Sequence, residues 1–305
     1  MMIKYFLPFL LSSATFFLSP AVSAQQSTLD KIKSSGVVTM GVRESSGALS
    51  YTLGDGKYAG FHVEICNNVL RDIQKQLNMK TLDIKYTPVT SQNRIPLLQN
   101  GTVDIECGST TNNATRQKDV AFAVTTYVEE IRIAVRANSG ITSLNQLNGR
   151  KVATTTGTTS VQRLRQHEKA TGVNFDEVFG KDHADSFLLL ESGRADAFVM
   201  DGSILAGNIA NAKNPADFRI VGEVIGVEPI AIMMRKDDPS FKKAVDDSII
   251  KMMKDGTLTK LWDKWFMQPI PPKNARVGLA LSESTKQAWS SPNDRPAEDY
   301  QKKWL

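Results

Sequence analysis

The sequence predicts an α/β protein of two similar lobes, each a mixed sheet flanked by helices, with two crossover strands between them. The first observation is a β-α-β-α-β order over residues 36–107, which is typical of a sheet covered by helices on both faces. The second is a partial repeat of this unit further along the chain. The third is a pair of long apolar segments, 125–136 and 219–234, that flank the repeat and are predicted to cross between the lobes.

The first unit shows its elements through the spacing of apolar residues. Residues 36–42 and 82–89 are predicted strands, residues 91–100 a short helix, and residues 103–107 a buried strand. A longer helix between the first two strands is indicated by apolar residues at helical spacing: Val63, Cys66, Val69, Leu70, Ile73 and Leu77.

The repeat joins a helix, a glycine that ends it and a strand. Leu97-Leu98-x-x-Gly101-x-x-Asp104-Ile105 matches Leu189-Leu190-x-x-Gly193-x-x-Asp196-Ala197. A match of this length also arises by chance, because glycine commonly follows an apolar helix. Equivalent polar positions favour a true repeat, since Ser109 and Asp201 follow the glycines by eight residues, and Ser91 and His183 precede them by ten. Ligands of open α/β sheets bind beyond the carboxyl ends of the strands, so these side chains are expected to face one cleft.

Lobe one is predicted to comprise residues 25–127 and 226–272, and lobe two residues 128–225. Two crossovers of this kind form a natural hinge. Residues 255–267 read as an amphipathic helix whose tryptophans pack on lobe one, with membrane-surface binding as the alternative. Residues 273–305 are expected to form a tail that packs on lobe one and contains a short helix near 281–289.

The first 24 residues have the pattern of a cleavable secretory signal, with Lys4, an apolar stretch and a small-residue site at residues 22–24. A membrane anchor is less favoured, because Pro8 interrupts an apolar run shorter than the ~20 residues of a membrane span. The sequence therefore predicts export to the periplasm. The formal net charge is +5 with interspersed basic residues, which argues against a nucleic-acid surface.

Two cysteines, Cys66 and Cys107, occur in the chain. In an exported protein such a pair suggests one disulfide. Their positions in an apolar helix and strand also suit two buried thiols, so the sequence leaves both states open. Three histidines without zinc-ligand spacing give no reason to expect a metal site, and no cofactor is expected.

Several segments carry a family resemblance: LDKIKSSGVVTMGVRESSGALSY, GTVDIECGSTTNNATRQKDVAFA, KVATTTGTTS, KDHADSFLLLESGRADAFVMD and KLWDKWF. They resemble the periplasmic solute-binding proteins for polar amino acids that feed ABC importers, over nearly all of residues 28–275. SQNRIPLLQNGT and ECGSTTNN look most like the glutamate/aspartate-binding branch. The resemblance implies a type II periplasmic binding protein-like fold whose lobes close over one amino acid. Residues 47–49 depart from the family's Pro/aromatic run, which leaves the wall around the ligand side chain unpredicted.

The resemblance assigns the ligand's α-carboxylate to Arg116, which matches the position of the family's carboxylate clamp. Backbone N–H groups and hydroxyls at Ser109 and Thr111 would complete the cradle. The ammonium is assigned to Asp201 at the end of its strand, where capping the next helix is an alternative or additional role.

Two further groups are expected around the ligand. Thr158 and Thr159 lie in a turn between a strand and a helix, where N–H groups and hydroxyls favour an anion. At the side-chain end, Arg43 and Arg94 with Ser91 and His183 are expected to converge on a second carboxylate. A neutral analogue would leave a buried guanidinium underpaired, so the site predicts an acidic ligand.

Three of these residues have an alternative role that does not involve a ligand. Arg43 has Glu44 and Asp55 nearby as structural ion-pair partners. His183 has an ordinary surface position as its alternative, and so does Arg116.

The leading hypothesis is a monomeric receptor that captures glutamate or aspartate and presents it to the membrane permease of an ABC importer. The sequence does not distinguish the two ligands. One alternative is an exported enzyme similar to cyclohexadienyl dehydratases, with Glu106 and His183 as acid–base candidates. Another is a sensor that reports the ligand to a signalling partner.

Overall fold

The computed structural model describes residues 1–2 and 26–301. Residues 3–24 of the predicted signal and residues 302–305 of the predicted tail lie outside the described residues. Within the described part of the chain, no helix has both the length and the apolar character required to cross a membrane.

In chain order the strands are β1 (Val37–Val42), β2 (Ser45–Ser46), β3 (Ser50–Gly54), β4 (Lys57–Ala59), β5 (Asp83–Pro88), β6 (Ile105–Glu106), β7 (Val120–Phe122), β8 (Tyr127–Arg136), β9 (Lys151–Thr155), β10 (Asp176–Gly180), β11 (Ala197–Asp201), β12 (Phe218–Ile230), β13 (Met233–Arg235), β14 (Pro269–Ile270) and β15 (Ala275–Arg276). The helices are α1 (Thr28–Ser35), α2 (Phe61–Gln76), α3 (Arg94–Gln99), α4 (Thr159–Thr171), α5 (His183–Glu191), α6 (Gly202–Ala210), α7 (Pro239–Lys254), α8 (Thr257–Trp262), α9 (Glu283–Ser290) and α10 (Ala297–Gln301). A π-helical turn, Asp263–Met267, continues α8.

The first large sheet has the strand order β5-β1-β6-β13-β7. Strand β1 runs parallel to β5 and β6, as the β-α-β-α-β order predicts. Strand β13 follows β12 in the chain and so comes after the second lobe. It runs antiparallel to β6 and β7, which makes the sheet mixed. Helix α2 buries most of its predicted apolar face, including Val63, Val69 and Ile73.

Helix α3 begins at Arg94, three residues later than predicted. The Thr90 N–H donates to Asn93 Oδ1 at 2.8 Å, and the Asn93 N–H donates to Thr90 Oγ1 at 3.3 Å. This reciprocal pair forms a turn before the helix, so Asn93 occupies the N-cap position.

The second large sheet has the strand order β10-β9-β11-β8-β12. Strand β9 runs parallel to β10 and β11, whereas β8 runs antiparallel to β11 and β12. The pairing of β8 with β12 extends from Tyr127 opposite Ile230 to Arg136 opposite Phe218. These two strands fall within or close to the segments predicted to cross between lobes.

Different parts of these two strands pack in different apolar cores. Tyr127 and Ile230 pack in the core beneath the first sheet, whereas Ile131 and Val221 pack in a core of the second sheet. Each sheet therefore has its own apolar core, as expected of two lobes. The exact lobe limits stay a prediction, because the change of core extends over several residues.

The C-terminal region covers the first lobe and the start of the crossover. Predicted as one amphipathic helix, residues 255–267 form α8 and the π-helical turn, and their apolar side chains are buried in the first core: Leu258, Leu261, Trp262, Trp265 and Phe266. These tryptophans are packing residues and are not presented to a membrane. Further on, Trp289 Nε1–H donates to the Thr126 carbonyl at 2.8 Å, and the Thr125 N–H donates to the Asn293 carbonyl at 2.9 Å.

The cysteines form a disulfide between Cys66 of α2 and Cys107, which directly follows β6. Both residues are fully buried. Of the two states that the sequence leaves open, the structure shows the bridge, which ties a helix of the first lobe to the centre of its sheet.

Candidate functional site

Strand ends and helix starts from both lobes meet at one small gap with an empty volume of about 190 Å³. Nine residues line it: Ser91, Arg94, Ser109, Thr111, Thr158, Thr159, His183, Met200 and Asp201. All except Met200 belong to the set predicted from the sequence. The other two predicted residues, Arg43 and Arg116, form hydrogen bonds to the lining residues Ser109 and Thr111. The structure brings the predicted set together, and ligand binding by its members stays a proposal.

Arg94 is the residue of this gap that most clearly lacks an anionic partner. Arg94 is 2% exposed, so it lies inside the site. Nε and Nη1 have no hydrogen-bond partner. Burial, followed by the charge of Arg116, lowers the pKa of this guanidinium well below its usual value. An unpaired buried donor costs about 1–3 kcal/mol, and more when charged, so this position favours a carboxylate.

Arg43 is fully buried and bridges the lobes. Its Nη2 lies 2.6 Å from Asp182 Oδ1, and Nη1 donates to Ser109 Oγ at 3.4 Å. The ion-pair partner is thus Asp182 of the second lobe, and not Glu44 or Asp55. Burial alone would raise the pKa of Asp182, but the guanidinium of Arg43, together with His183 and Ser45, holds that pKa below its usual value.

His183 is a buried, neutral member of the site. Burial, followed by the charge of Arg43, lowers its pKa to about 3. Its Nε2 lies 3.3 Å from Arg43 Nη2, and its Nδ1 lies 3.0 Å from Thr155 Oγ1. Because a guanidinium only donates, Nε2 must accept and the proton resides on Nδ1. A surface position is excluded, and the imidazole adds no positive charge.

Arg116 begins a 3₁₀ turn and spans the gap. Its Nη1 donates to the Thr111 carbonyl at 2.9 Å and its Nη2 to the Gly157 carbonyl of the second lobe at 3.3 Å. Burial lowers its pKa, while Glu228 and Asp201 oppose that shift. Arg116 is therefore part of the site and not an isolated surface arginine, but backbone carbonyls already take two of its donors.

Asp201 ends β11 on the second-lobe side and is 1% exposed. It stands at the N-cap of α6 without a side-chain capping bond, and its Oδ1 has no partner. Burial, followed by the charges of Glu129 and Glu228, raises the pKa of this carboxyl well above its usual value. A buried acid with an unpaired oxygen is suited to a cationic group such as an ammonium.

The hydroxyl groups have more varied partners than predicted. Ser91 Oγ is buried without a partner, whereas Ser109 Oγ lies 3.0 Å from Ser46 Oγ. Thr158 is the N-cap residue of α4, but its hydroxyl donates to the Thr155 carbonyl at 2.7 Å. The hydroxyls predicted to face the ligand are thus partly occupied by the protein.

Two buried acids escaped the sequence prediction. Glu228 on β12 and Glu129 on β8 lie opposite each other in the crossover, and each is 1% exposed. Thr111 Oγ1 and Thr159 Oγ1 donate to Glu228 Oε2 at 2.6 and 2.7 Å. Burial raises the pKa of Glu129 to about 7 against the hydrogen bonds of Ser203. Both glutamates lie within the segments predicted to cross between the lobes, where charged residues interrupt the apolar pattern. That position was the available signal.

Two glycines permit the lobes to approach closely. A Cβ at Gly157 would lie 3.0 Å from the backbone of Ser91 and Gln92, and one at Gly47 would lie 2.9 Å from the Ser203 carbonyl. Within the unpredicted wall at residues 47–49, Gly47 therefore packs against α6 of the other lobe. Among residues 1–2 and 26–301, no cluster of His, Cys, Asp and Glu is arranged to hold a metal ion.

Two lobes that are joined by paired strands and enclose a small polar gap define a solute-binding protein. The chain matches the model of the bacterial extracellular solute-binding proteins, family 3, over residues 38–268, and it belongs to that family. The resemblance and the fold class predicted from the sequence are thereby confirmed.

The relatives cover most of the chain. A glutamate/aspartate import solute-binding protein of Escherichia coli (strain K12) is 45% identical over 275 residues, which are 90% of this chain and 91% of that relative. An L-glutamate/L-aspartate-binding protein of Pseudomonas aeruginosa is 44% identical over 299 residues, 95% of this chain and 98% of that relative.

Solved structures agree with the fold. A mutant of ArgBP from T. maritima is 26% identical to this chain, with a TM-score of 0.70. The match covers 79% of this chain and 99% of the mutant's chain. The ancestral amino acid-binding protein AncCDT-1, a precursor of cyclohexadienyl dehydratase, has a TM-score of 0.67 and 29% identity, and covers 79% of this chain and 99% of that chain.

Proposed function

We propose that this chain is a periplasmic receptor that closes over glutamate or aspartate and delivers it to the permease of an ABC importer. It acts as a monomer, without a cofactor and without catalysis. The names of its relatives support this proposal, because those covering at least nine-tenths of the chain bind or import the two acidic amino acids.

One observation carries the proposal: the gap holds unpaired cationic donors and an unpaired carboxylate oxygen. Arg94 Nε and Nη1 lack partners, and so does Asp201 Oδ1. A ligand with a carboxylate and an ammonium would pair both groups at once. Because they come from different lobes, such a ligand would favour the closed state over the open one.

A second carboxylate on the ligand explains the number of arginines. Three guanidinium groups, those of Arg43, Arg94 and Arg116, interact electrostatically within the site. An acidic amino acid has two carboxylates, whereas glutamine has one. Glutamine would leave one guanidinium without an anion, which costs affinity.

Calorimetric titration with the twenty amino acids tests this function. We expect glutamate and aspartate to bind, with glutamine and asparagine at least about tenfold weaker. An equal affinity for glutamate and glutamine would contradict the acidic specificity, and a failure to bind any amino acid would contradict the function as a whole.

An enzymatic activity on the same scaffold is the second candidate, because one similar structure is a precursor of a dehydratase. Glu106 is fully buried with Oε1 unpaired, as a catalytic acid or base could be. The neutral His183 lines the gap. Incubation with prephenate and arogenate, followed by chromatography, would reveal turnover, and unchanged substrate would exclude these two reactions.

A further inference from the structure

Glu228 occupies an unusual position for a carboxylate. It lies on the crossover strand β12, is 1% exposed and faces Glu129 across the strand pair. Arg163 Nε of α4 lies 3.6 Å from its Oε1. Its other oxygen, Oε2, accepts the hydroxyl protons of Thr111 from the first lobe and Thr159 from the second. This one side chain therefore contacts both lobes from the hinge.

The two hydrogen bonds to Glu228 determine whether the threonine hydroxyls can donate or accept further hydrogen bonds. A hydroxyl has one proton and two acceptor positions. Since a carboxylate only accepts, both protons point at Glu228 Oε2, at 2.6 and 2.7 Å. Thr111 Oγ1 and Thr159 Oγ1 can then only accept hydrogen bonds from other partners. In this arrangement the two hydroxyls have no proton left to donate to an anion, whereas their backbone N–H groups remain candidates for the predicted anion-binding role.

These acceptors share the gap with Asp201. Thr111, Thr159 and Asp201 all line it, and Asp201 Oδ1 is unpaired. Glu228 adds negative charge, since it raises the pKa of Asp201. Acceptor oxygens beside negative charge favour a cationic group with several N–H donors. An ammonium is such a group.

We propose that Glu228 is a positioning residue of the ammonium subsite, which it completes by turning the hydroxyl oxygens of Thr111 and Thr159 toward the ligand. This inference rests on the proposed capture of an amino acid. Because the threonines come from opposite lobes, the subsite is complete only in the closed form, so Glu228 links recognition of the ammonium to closure.

A double-mutant cycle on glutamate affinity tests the route through the hydroxyls. Glu228→Leu should weaken binding by about tenfold or more in the native background. In a Thr111→Val, Thr159→Val background the same change should cost far less, because the oriented oxygens are already gone. Glu228→Gln keeps an acceptor oxygen and should retain more affinity than Glu228→Leu. Glu223→Leu, on the exposed part of the same strand, is the matched control and should bind normally.

A second readout keeps the proposal testable if Glu228→Leu does not fold. Thr111→Val and Thr159→Val should each lower the preference for glutamate over glutarate, which lacks the ammonium, in a displacement assay. Equal losses for the two ligands would overturn the proposal, as would independent, additive losses in the cycle. A wild-type protein that binds no amino acid would overturn the proposed function and this inference with it.

Discussion

At the residue scale, the site is a set of charges that the protein itself leaves unbalanced. Arg94 and Asp201 are buried with unpaired atoms on opposite sides of one gap. Arg43, by contrast, already has an ion pair with Asp182. Arg94 is therefore the guanidinium with the largest unmet demand for a ligand carboxylate.

We expect Arg94→Ala to weaken glutamate binding by at least about tenfold, because a charge-assisted hydrogen bond is lost from a buried position. Glutamine should lose less. Isothermal calorimetry of both ligands measures the difference. Arg150→Ala, which removes a half-exposed arginine beside Asp196, is the control and should leave both affinities unchanged. Equal losses for glutamate and glutamine would show that Arg94 does not serve the side-chain carboxylate.

Binding should also release a proton from Asp201. Burial, followed by the charges of Glu129 and Glu228, raises the pKa of Asp201 well above its usual value without ligand, so more of this carboxyl is protonated than in a free aspartate at the same pH. An ammonium favours the ionised form, so affinity should increase as the pH rises until Asp201 is ionised without ligand. Calorimetry in two buffers of different ionisation enthalpy measures the proton number. Proton uptake, or none at mildly acidic pH, would contradict this assignment.

The residues that could be foreseen are those set by strand ends. Ser109 and Asp201 were predictable because each lies at or just beyond the end of a strand of a repeated unit, and the carboxyl ends of parallel strands meet at one edge. Asp182 as the partner of Arg43 was not predictable, since their contact depends on the angle between the lobes. Glu228 was missed because a glutamate in an apolar strand does not show which hydroxyls it will meet.

At the element scale, the first lobe depends on the bridge between α2 and β6. Cys66 and Cys107 are separated by 41 residues. The sequence placed both cysteines in buried elements but could not decide their state, because pairing depends on the packing of α2 against the sheet. The late start of α3 was missed for a similar reason, since the turn before it depends on the Thr90 and Asn93 side chains.

Reduction of the disulfide should lower the free energy of unfolding by about 4 kcal/mol, because the closed loop restricts the unfolded chain. Urea denaturation with and without dithiothreitol measures this change. A Cys66→Ser, Cys107→Ser variant is the control, and its midpoint should be the same in both conditions. If the wild-type midpoint did not respond to the reductant, the bridge would not stabilise the first lobe.

At the scale of the whole molecule, the lobes are held together by polar contacts across the gap. Besides the ion pair with Arg43, Asp182 accepts a hydrogen bond from Ser45 Oγ at 2.9 Å. The two-lobed fold could be predicted because the repeat and the apolar crossover segments are local patterns. The contacts that close the gap join distant residues and leave no such pattern.

Asp182→Asn should shift the unliganded protein toward an open form, because the charge that attracts Arg43 is lost while asparagine still suits the N-cap of α5. Small-angle X-ray scattering should show a larger radius of gyration for the variant than for the wild type when no ligand is present. With glutamate, the two proteins should have the same radius. Asp185→Asn, in the first turn of the same helix, should scatter like the wild type. An unchanged radius for Asp182→Asn would show that this pair does not hold the lobes closed.

The charged groups assigned to the ligand belong to separate rigid elements: Arg94 to α3, Asp201 to the end of β11 and Arg116 to its own turn. Three attachment points that do not lie on one line define a handedness. A mirror-image amino acid can match any two of them, but its third substituent then points the wrong way. Under the proposed assignment, preference for one enantiomer follows from the spacing of these elements and requires no additional residue.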